Sequence, residues 1–253
     1  MTALKTLVSL GLLAFASATQ AAPIAGKGTW ESTLKARDVN GHAVALDSAD
    51  AAFFYDSTLD VTWLADMNAS GTLAWGDALA WADALTVGGF DDWRLPSIID
   101  SGAAGCDLNF DGGTDCGYNT QTQVAGQYSE WAHLYYVTLG NLGFCAPGGN
   151  TPDTCEGPQP GWGLSNTAHF QDMQAAIHWS ATDYTAQGGT AWVFYAADGY
   201  QSRAGKGVAL NAVALRTGDV LRDVGTVPEP QGLALALTAL AGLGAALRRR
   251  RAA

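Results

Sequence analysis

Basic residues are scarce in this chain: 13 Lys and Arg stand against 24 Asp and Glu, for a formal net charge of −11. Five of the 13 cations, Lys5 and Arg248 to Arg251, sit at the two ends, so 8 remain against 24 acids between them, a balance of −16. Such acidity argues against nucleic acid and anionic polysaccharide as ligands of the surface as a whole and leaves divalent cations, neutral glycans and basic partners open. Histidine is rarer still, and His42, His133, His169 and His178 fall in unrelated contexts. The chain has no Gly-x-Ser-x-Gly, no His-Glu-x-x-His and no phosphate-cradling glycine loop, which removes the common hydrolase, metalloprotease and nucleotide-binding signatures. Carboxylate pairs for glycoside hydrolysis can be drawn from 24 acids in many ways, so no particular pair stands out. Long apolar runs occur only at the ends.

At the start, Lys5 precedes an apolar run from Leu7 to Ala16, followed by small residues and Pro23. That layout predicts a secretory signal peptide over residues 1–22, cut after Ala18 or Ala21. The run is too short for a spanning helix of about 20 residues. At the other end, Val227-Pro228-Glu229-Pro230 leads into a Leu/Ala/Gly stretch from Gly232 to Leu247 and then Arg248, Arg249, Arg250 and Arg251. The prolines keep the segment extended, the apolar stretch is marginal for a transmembrane helix, and the arginines would stay on the cytoplasmic side. Residues 227–251 closely resemble the Pro-Glu-Pro (PEP-CTERM) sorting signal of Gram-negative bacteria. The resemblance implies recognition by an exosortase-type processing protease, transient residence in the inner membrane and delivery to the cell surface, extracellular matrix or biofilm. A permanent tail anchor differs only in whether the helix is later removed.

The four cysteines, Cys106, Cys116, Cys145 and Cys155, form two pairs of identical spacing. In an oxidising compartment an even count reads as disulfides. Three pairings are possible; the two local ones, Cys106 with Cys116 and Cys145 with Cys155, are favoured because each pins a Gly/Asp/Pro-rich loop. No Cys-x-x-Cys accompanies them, which weakens a zinc reading. Between the first two lies Asp107-x-Asn109-x-Asp111-Gly112-x-x-Asp115, the front half of a calcium loop, in which oxygen ligands at alternating positions converge on one hard cation. Position twelve is Tyr118, without a bidentate carboxylate, so a turn-rich loop without metal is the competing reading.

Residues 23–50 read as an N-terminal extension and residues 51–222 as one domain. Phe53 to Asp56 and Leu59 to Leu64 are short, aromatic and β-branched around Asp56-Ser57-Thr58, predicting a hairpin. Trp75, Ala78, Trp81, Ala82 and Leu85 share one helical stripe, with Asp77 and Asp83 facing away and Gly88-Gly89 as the stop. Ser129 is placed to cap a second helix carrying Trp131, Leu134, Tyr135 and Leu139, ending at Gly140-Asn141. Strands are expected over His178 to Ala181, Ala191 to Tyr195 and Val208 to Leu215, with Gly199-Tyr200-Gln201 at the far side of a turn. The pattern is α+β.

The stretch from Tyr55 to Val220 resembles the bacterial family named for the C-terminal domain of a collagen-like adhesin (Lcl). The residues that carry the likeness are Val61-Thr62-Trp63, the helix from Trp75-Gly76-Asp77-Ala78, Gly88-Gly89-Phe90-Asp91-Asp92-Trp93-Arg94-Leu95-Pro96, Leu134 to Asn141, and His178-Trp179-Ser180-Ala181-Thr182. It weakens at Val213 to Val220, where small residues replace an expected tryptophan. The helix followed by Arg94-Leu95-Pro96 also looks like part of C-type-lectin-like and formylglycine-generating-enzyme-like folds, so a single domain of that type is expected. The likeness extends to scaffold only, because all four cysteines have disulfide-like spacing. Trp63, Trp75, Trp81, Trp93, Pro96 and Trp179 are read as structural. Arg94, between Trp93 and Leu95, is read as buried and paired with an aspartate such as Asp56 or Asp60.

Tyr118, Trp162 and Tyr200 lie in loops and either stack on sugar rings or anchor their own segments. The expectation is an exported, surface-displayed, non-catalytic module that binds extracellular glycan or a matrix component, with no cofactor unless calcium. The rivals are a secreted hydrolase with a carboxylate pair and a structural matrix protein without a small ligand.

Overall fold

The computed structural model describes residues 23–100, 116–120, 129–147, 155 and 157–222. The segment read as a signal peptide, the loop read as calcium-binding with Asp107, Asn109, Asp111 and Asp115, Cys106, and the segment read as a sorting tail with Pro228, Glu229, Pro230 and Arg248 to Arg251 lie outside them. The architecture is α+β, dominated by two sheets. The first has the order β1 (Leu34–Arg37), β2 (Phe53–Asp56), β3 (Val61–Leu64), β9 (Leu215–Thr217), with every neighbour antiparallel. The second runs β4 (Thr72–Leu73), β8 (Leu210–Asn211), β5 (Ile177–Asp183), β6 (Thr190–Tyr195), β7 (Tyr200–Gly205). Only β5 and β8 run parallel, through a single residue pair.

The central strands β2, β3 and β6 are buried on two faces, which is why they read as nearly continuous apolar runs. In β2, Phe54 packs into the main core with Trp63, Trp131, Leu134 and Tyr135, whereas Phe53 turns to the opposite face and meets Trp93 and Leu64. In β6, Phe194 joins that main core while Ala191 and Val193 face α2 (Trp75–Asp83). Alanine suits α2 here: Ala78 and Ala82 are fully buried against Trp179 and Val193, and a small side chain lets helix and sheet approach closely.

Several local expectations shift. The hairpin lies over β2 and β3 as read, but residues 34–37, within the segment read as an extension, form β1 on its edge, preceded by the short helix α1 (Trp30–Thr33), and Trp30 and Leu34 enter the core. Helix α2 ends at Asp83 with Ala84 as C-cap, short of Gly88-Gly89. Those glycines, at φ 62° and 79°, instead close the turn in which Val87 and Phe90 exchange backbone hydrogen bonds of 3.0 Å. A Cβ on Gly88 would strike the Val39 carbonyl. The region from Val208 to Leu215 is not one strand: β8 belongs to one sheet and β9 to the other, and Ala212, Val213 and Ala214 cross between them fully buried. Alternation there reflects burial on both sides of a crossing.

The second helix begins as α3 (Glu130–His133) and widens into a π-helical turn, Leu134–Thr138, in which Leu139 N–H donates to the Leu134 carbonyl at 2.8 Å. Ser129 occupies the N-cap position without a side-chain cap; its hydroxyl accepts the Ile99 N–H at 3.2 Å. Gly140, at φ 66°, ends the segment, and a Cβ there would collide with the Gly28 backbone. Among the described residues no helix is long and apolar enough to cross a membrane.

Candidate functional site

The turn joining β6 to β7 brings Tyr195, Asp198 and Tyr200 to one end of the second sheet. Gly199, at φ 81°, makes this turn, and its N–H donates to the Tyr195 carbonyl at 2.8 Å. Residues 116–120 add to the edge of β7 through two 2.9 Å hydrogen bonds between Gly117 and Gln201, which sets Tyr118 beside Tyr200 with ring centroids 4.9 Å apart. From the loop after the π-turn, Phe144 donates its N–H to the Asp198 carbonyl at 2.9 Å and lays its ring 6.2 Å from Tyr118. Together with Cys145 and Cys155 these side chains line a cavity of about 420 Å³. It is a bowl walled by four aromatic rings around one half-buried carboxylate.

The walls are held from behind. The Tyr136 hydroxyl, placed by the π-turn, accepts the Asn119 N–H at 3.0 Å and donates to the Gly199 carbonyl at 2.7 Å, tying two walls to one atom. Gln159 Nε2 donates to the carbonyls of Gly143 and Cys145 at 2.7 and 3.0 Å, and Asn119 Nδ2 donates to Cys145 at 3.3 Å. The Cys145–Cys155 disulfide, with Cα atoms 5.5 Å apart, closes the rim as the spacing predicted. Cys116 is also disulfide-bonded; its expected partner, Cys106, lies outside the described residues. Interruptions of α-helical geometry of this kind recur at functional sites, and here two adjacent tyrosines of the widened turn hold the bowl's loops from the core side: Tyr135 donates to the Leu142 carbonyl at 3.1 Å while Tyr136 holds Gly199.

Asp198 Oδ1 accepts the Tyr200 N–H at 3.1 Å, and Oδ2 lies 3.5 Å from the Tyr118 hydroxyl, a long contact. Burial raises its pKa above the ordinary carboxylate value, opposed by those hydrogen bonds. Among the described residues no Lys or Arg forms an ion pair with it; the pairs present are Arg37–Asp219, His42–Asp38, Arg94–Glu130, Lys206–Asp183 and Arg216–Asp92. Burial likewise raises the phenol pKa of Tyr118, Tyr195 and Tyr200, so the bowl presents neutral hydroxyls at neutral pH. Trp162, 41 % exposed, stands edge-on to Phe144 at 5.0 Å and extends the aromatic surface outward.

Of the three loop aromatics read from the sequence, Tyr118 and Tyr200 line the bowl and Trp162 flanks it. Phe144, Tyr195 and Asp198 were missed. The available signal was Tyr195-x-x-Asp198-Gly199-Tyr200 between two strands, a turn that must place its aromatics together.

The residues read as structural lie elsewhere. Trp63 and Trp179 are fully buried, Trp93 and Pro96 are buried, and Trp75 and Trp81 are half-buried. Indole hydrogen bonds tie Trp75 to Ser180 and Trp179 to Leu73, both at 2.8 Å, and Trp93 to Phe90 at 2.9 Å. Arg94 is paired, but its side chain is partly exposed rather than buried, and its partner is Glu130 rather than Asp56 or Asp60. Asp56 instead accepts the Thr58 N–H at 2.9 Å and the Thr138 hydroxyl at 2.7 Å, and Asp60, at φ 54°, accepts the Tyr55 hydroxyl at 2.9 Å. Arg94 also borders a second cavity of about 470 Å³ beside α2, walled by Leu79, Asp83, Trp93 and Ala181; its guanidinium is already committed to Glu130 there. Among the described residues no three His, Cys, Asp or Glu side chains gather as a metal site. Compared with models of protein families, with curated proteins and with solved structures, the chain matches none.

Proposed function

We propose that this protein is an exported, surface-sorted, non-catalytic module that binds extracellular glycan in the bowl around Asp198. The observation that carries the reading is the set of rings of Tyr118, Phe144, Tyr195 and Tyr200 converging on one carboxylate in a cavity of about 420 Å³. Aromatic faces stack on the apolar faces of sugar rings, and a carboxylate with neutral phenols supplies directional partners for hydroxyls. One carboxylate lines the described bowl, where the usual glycoside hydrolase uses two; this favours binding over hydrolysis. Export and sorting rest on the resemblance of the two ends to a signal peptide and a Pro-Glu-Pro tail, with an exosortase-type protease as processing partner. The finer fold assignment, C-type-lectin-like or formylglycine-generating-enzyme-like and akin to the Lcl C-terminal family, rests on the helix followed by Arg94-Leu95-Pro96 and is part of the same proposal.

The test is affinity electrophoresis of the full-length chain in gels containing β-glucan, chitin-derived or chitosan polymers. Retardation by at least one polymer, abolished in Tyr200→Ala, is the expected result. Unchanged mobility in every polymer overturns the glycan reading.

A further inference from the structure

The bowl holds a charge that the described residues do not balance. Asp198 is half-buried beneath aromatic rings, uses two of roughly four lone-pair sites on long or single hydrogen bonds, and has no cationic partner among the described residues. A carboxylate so placed carries a desolvation cost that a neutral sugar hydroxyl offsets only in part. An ammonium group offsets it more fully, through a charge-assisted hydrogen bond and through attraction to the electron-rich ring faces. The net charge of −11 attracts such a ligand from a distance and repels sulfated or uronic polymers.

Resting on the glycan reading above, we infer that the bowl selects amino sugars: a hexosamine unit with a free protonated amine, stacked against the touching, tilted pair of Tyr118 and Tyr200 rings and donating from its ammonium to Asp198. Trp162, exposed beside Phe144, then offers a stacking face to the next unit of the chain, so the preferred ligand is an oligomer of partly or fully deacetylated β-linked glucosamine.

The experiment is calorimetric titration of the full-length chain with three tetramers that share β-1,4 geometry, namely glucosamine, N-acetylglucosamine and glucose, and with choline as a cation without a sugar ring. The expected result is a glucosamine tetramer bound about tenfold more tightly than the other two. In Asp198→Asn, which keeps an acceptor for the Tyr200 N–H, the glucosamine tetramer loses its advantage over the two neutral tetramers. Equal binding of all three by the wild type overturns the amine preference and leaves the glycan reading standing. Binding of choline as tight as that of the glucosamine tetramer overturns the sugar part and keeps the cation. Binding of none overturns both.

Discussion

The carboxylate of Glu130 holds the guanidinium of Arg94 through two hydrogen bonds of 2.7 Å each, Nη1 to Oε2 and Nη2 to Oε1. Oε2 also accepts the Ser97 N–H at 2.6 Å and the Ser97 hydroxyl at 3.0 Å. One acid thus joins the first turn of α3 to the Arg94-Leu95-Pro96-Ser97 segment, which in turn bridges to β9 through paired Arg94 and Leu215 backbone bonds of 2.8 and 2.9 Å. Bidentate geometry of this kind requires arginine.

Glu130→Gln is therefore expected to destabilise the fold by about 2–3 kcal/mol, a figure discounted because the Arg94 side chain is 37 % exposed. Thermal unfolding checks it, with a fall in Tm of roughly 5–10 °C. Arg94→Lys is expected to recover little, because an ammonium cannot satisfy both carboxylate oxygens in the same plane.

His178 is fully buried against Trp131, with ring centroids 4.6 Å apart, and its Nδ1 meets the Ala176 carbonyl at 3.1 Å. Burial pushes its pKa down from the ordinary imidazole value of about 6.5 to about 4. The unfolded chain therefore binds the proton more readily, so stability is full above about 6.5 and falls as pH drops toward about 4. The loss amounts to about 3 kcal/mol. His133, also lowered by burial with Asp56 opposing, adds in the same direction. Urea titrations across that range should show the decline, and His178→Gln should flatten part of it.

Tyr136→Phe removes the hydroxyl that ties Asn119 to Gly199. The expected cost to stability is about 1–2 kcal/mol, yet glycan retardation should be lost, because two walls of the bowl lose their common anchor. Gly199→Ala should act on the same contact from the other side: its φ of 81° disfavours a side chain, and the added Cβ meets the Tyr136 hydroxyl. Tyr55→Phe, at the exposed Tyr55–Asp60 contact on the first sheet and outside the bowl's lining, should leave retardation unchanged.

For export and sorting, intact-mass analysis of the protein from its native producer is the direct check. The expected species lacks the signal segment and the residues beyond about Pro230, and gains about 4 Da on reduction of two disulfides. A full-length tail in the membrane fraction would instead indicate a permanent anchor.

Much of the local structure was legible from residue types. The hairpin of β2 and β3, helix α2, the strands β5 and β6 and the Cys145–Cys155 pair follow from aromatic and β-branched runs, a 3.6-residue stripe and a spacing of ten. These depend on neighbours along the chain, and the local order of residue types carries that information. The strand β7, Tyr200–Gly205, was hidden because Gln201, Ser202, Arg203 and Gly205 are poor strand formers that tertiary pairing with β6 overrides.

The sequence by itself determined the acidity, the α+β pattern and two of the bowl's aromatics. Only the tertiary structure decided that Glu130 rather than an aspartate holds Arg94, that Val208 to Leu215 crosses between sheets, and that Tyr118, Phe144, Tyr195, Asp198 and Tyr200 share one cavity. Those groups are as much as 82 residues apart in the chain. Which of many acids meets an arginine, and which rings face one carboxylate, is set by strand order and by where the π-turn aims Tyr136. Such long-range choices leave no periodic trace in the sequence.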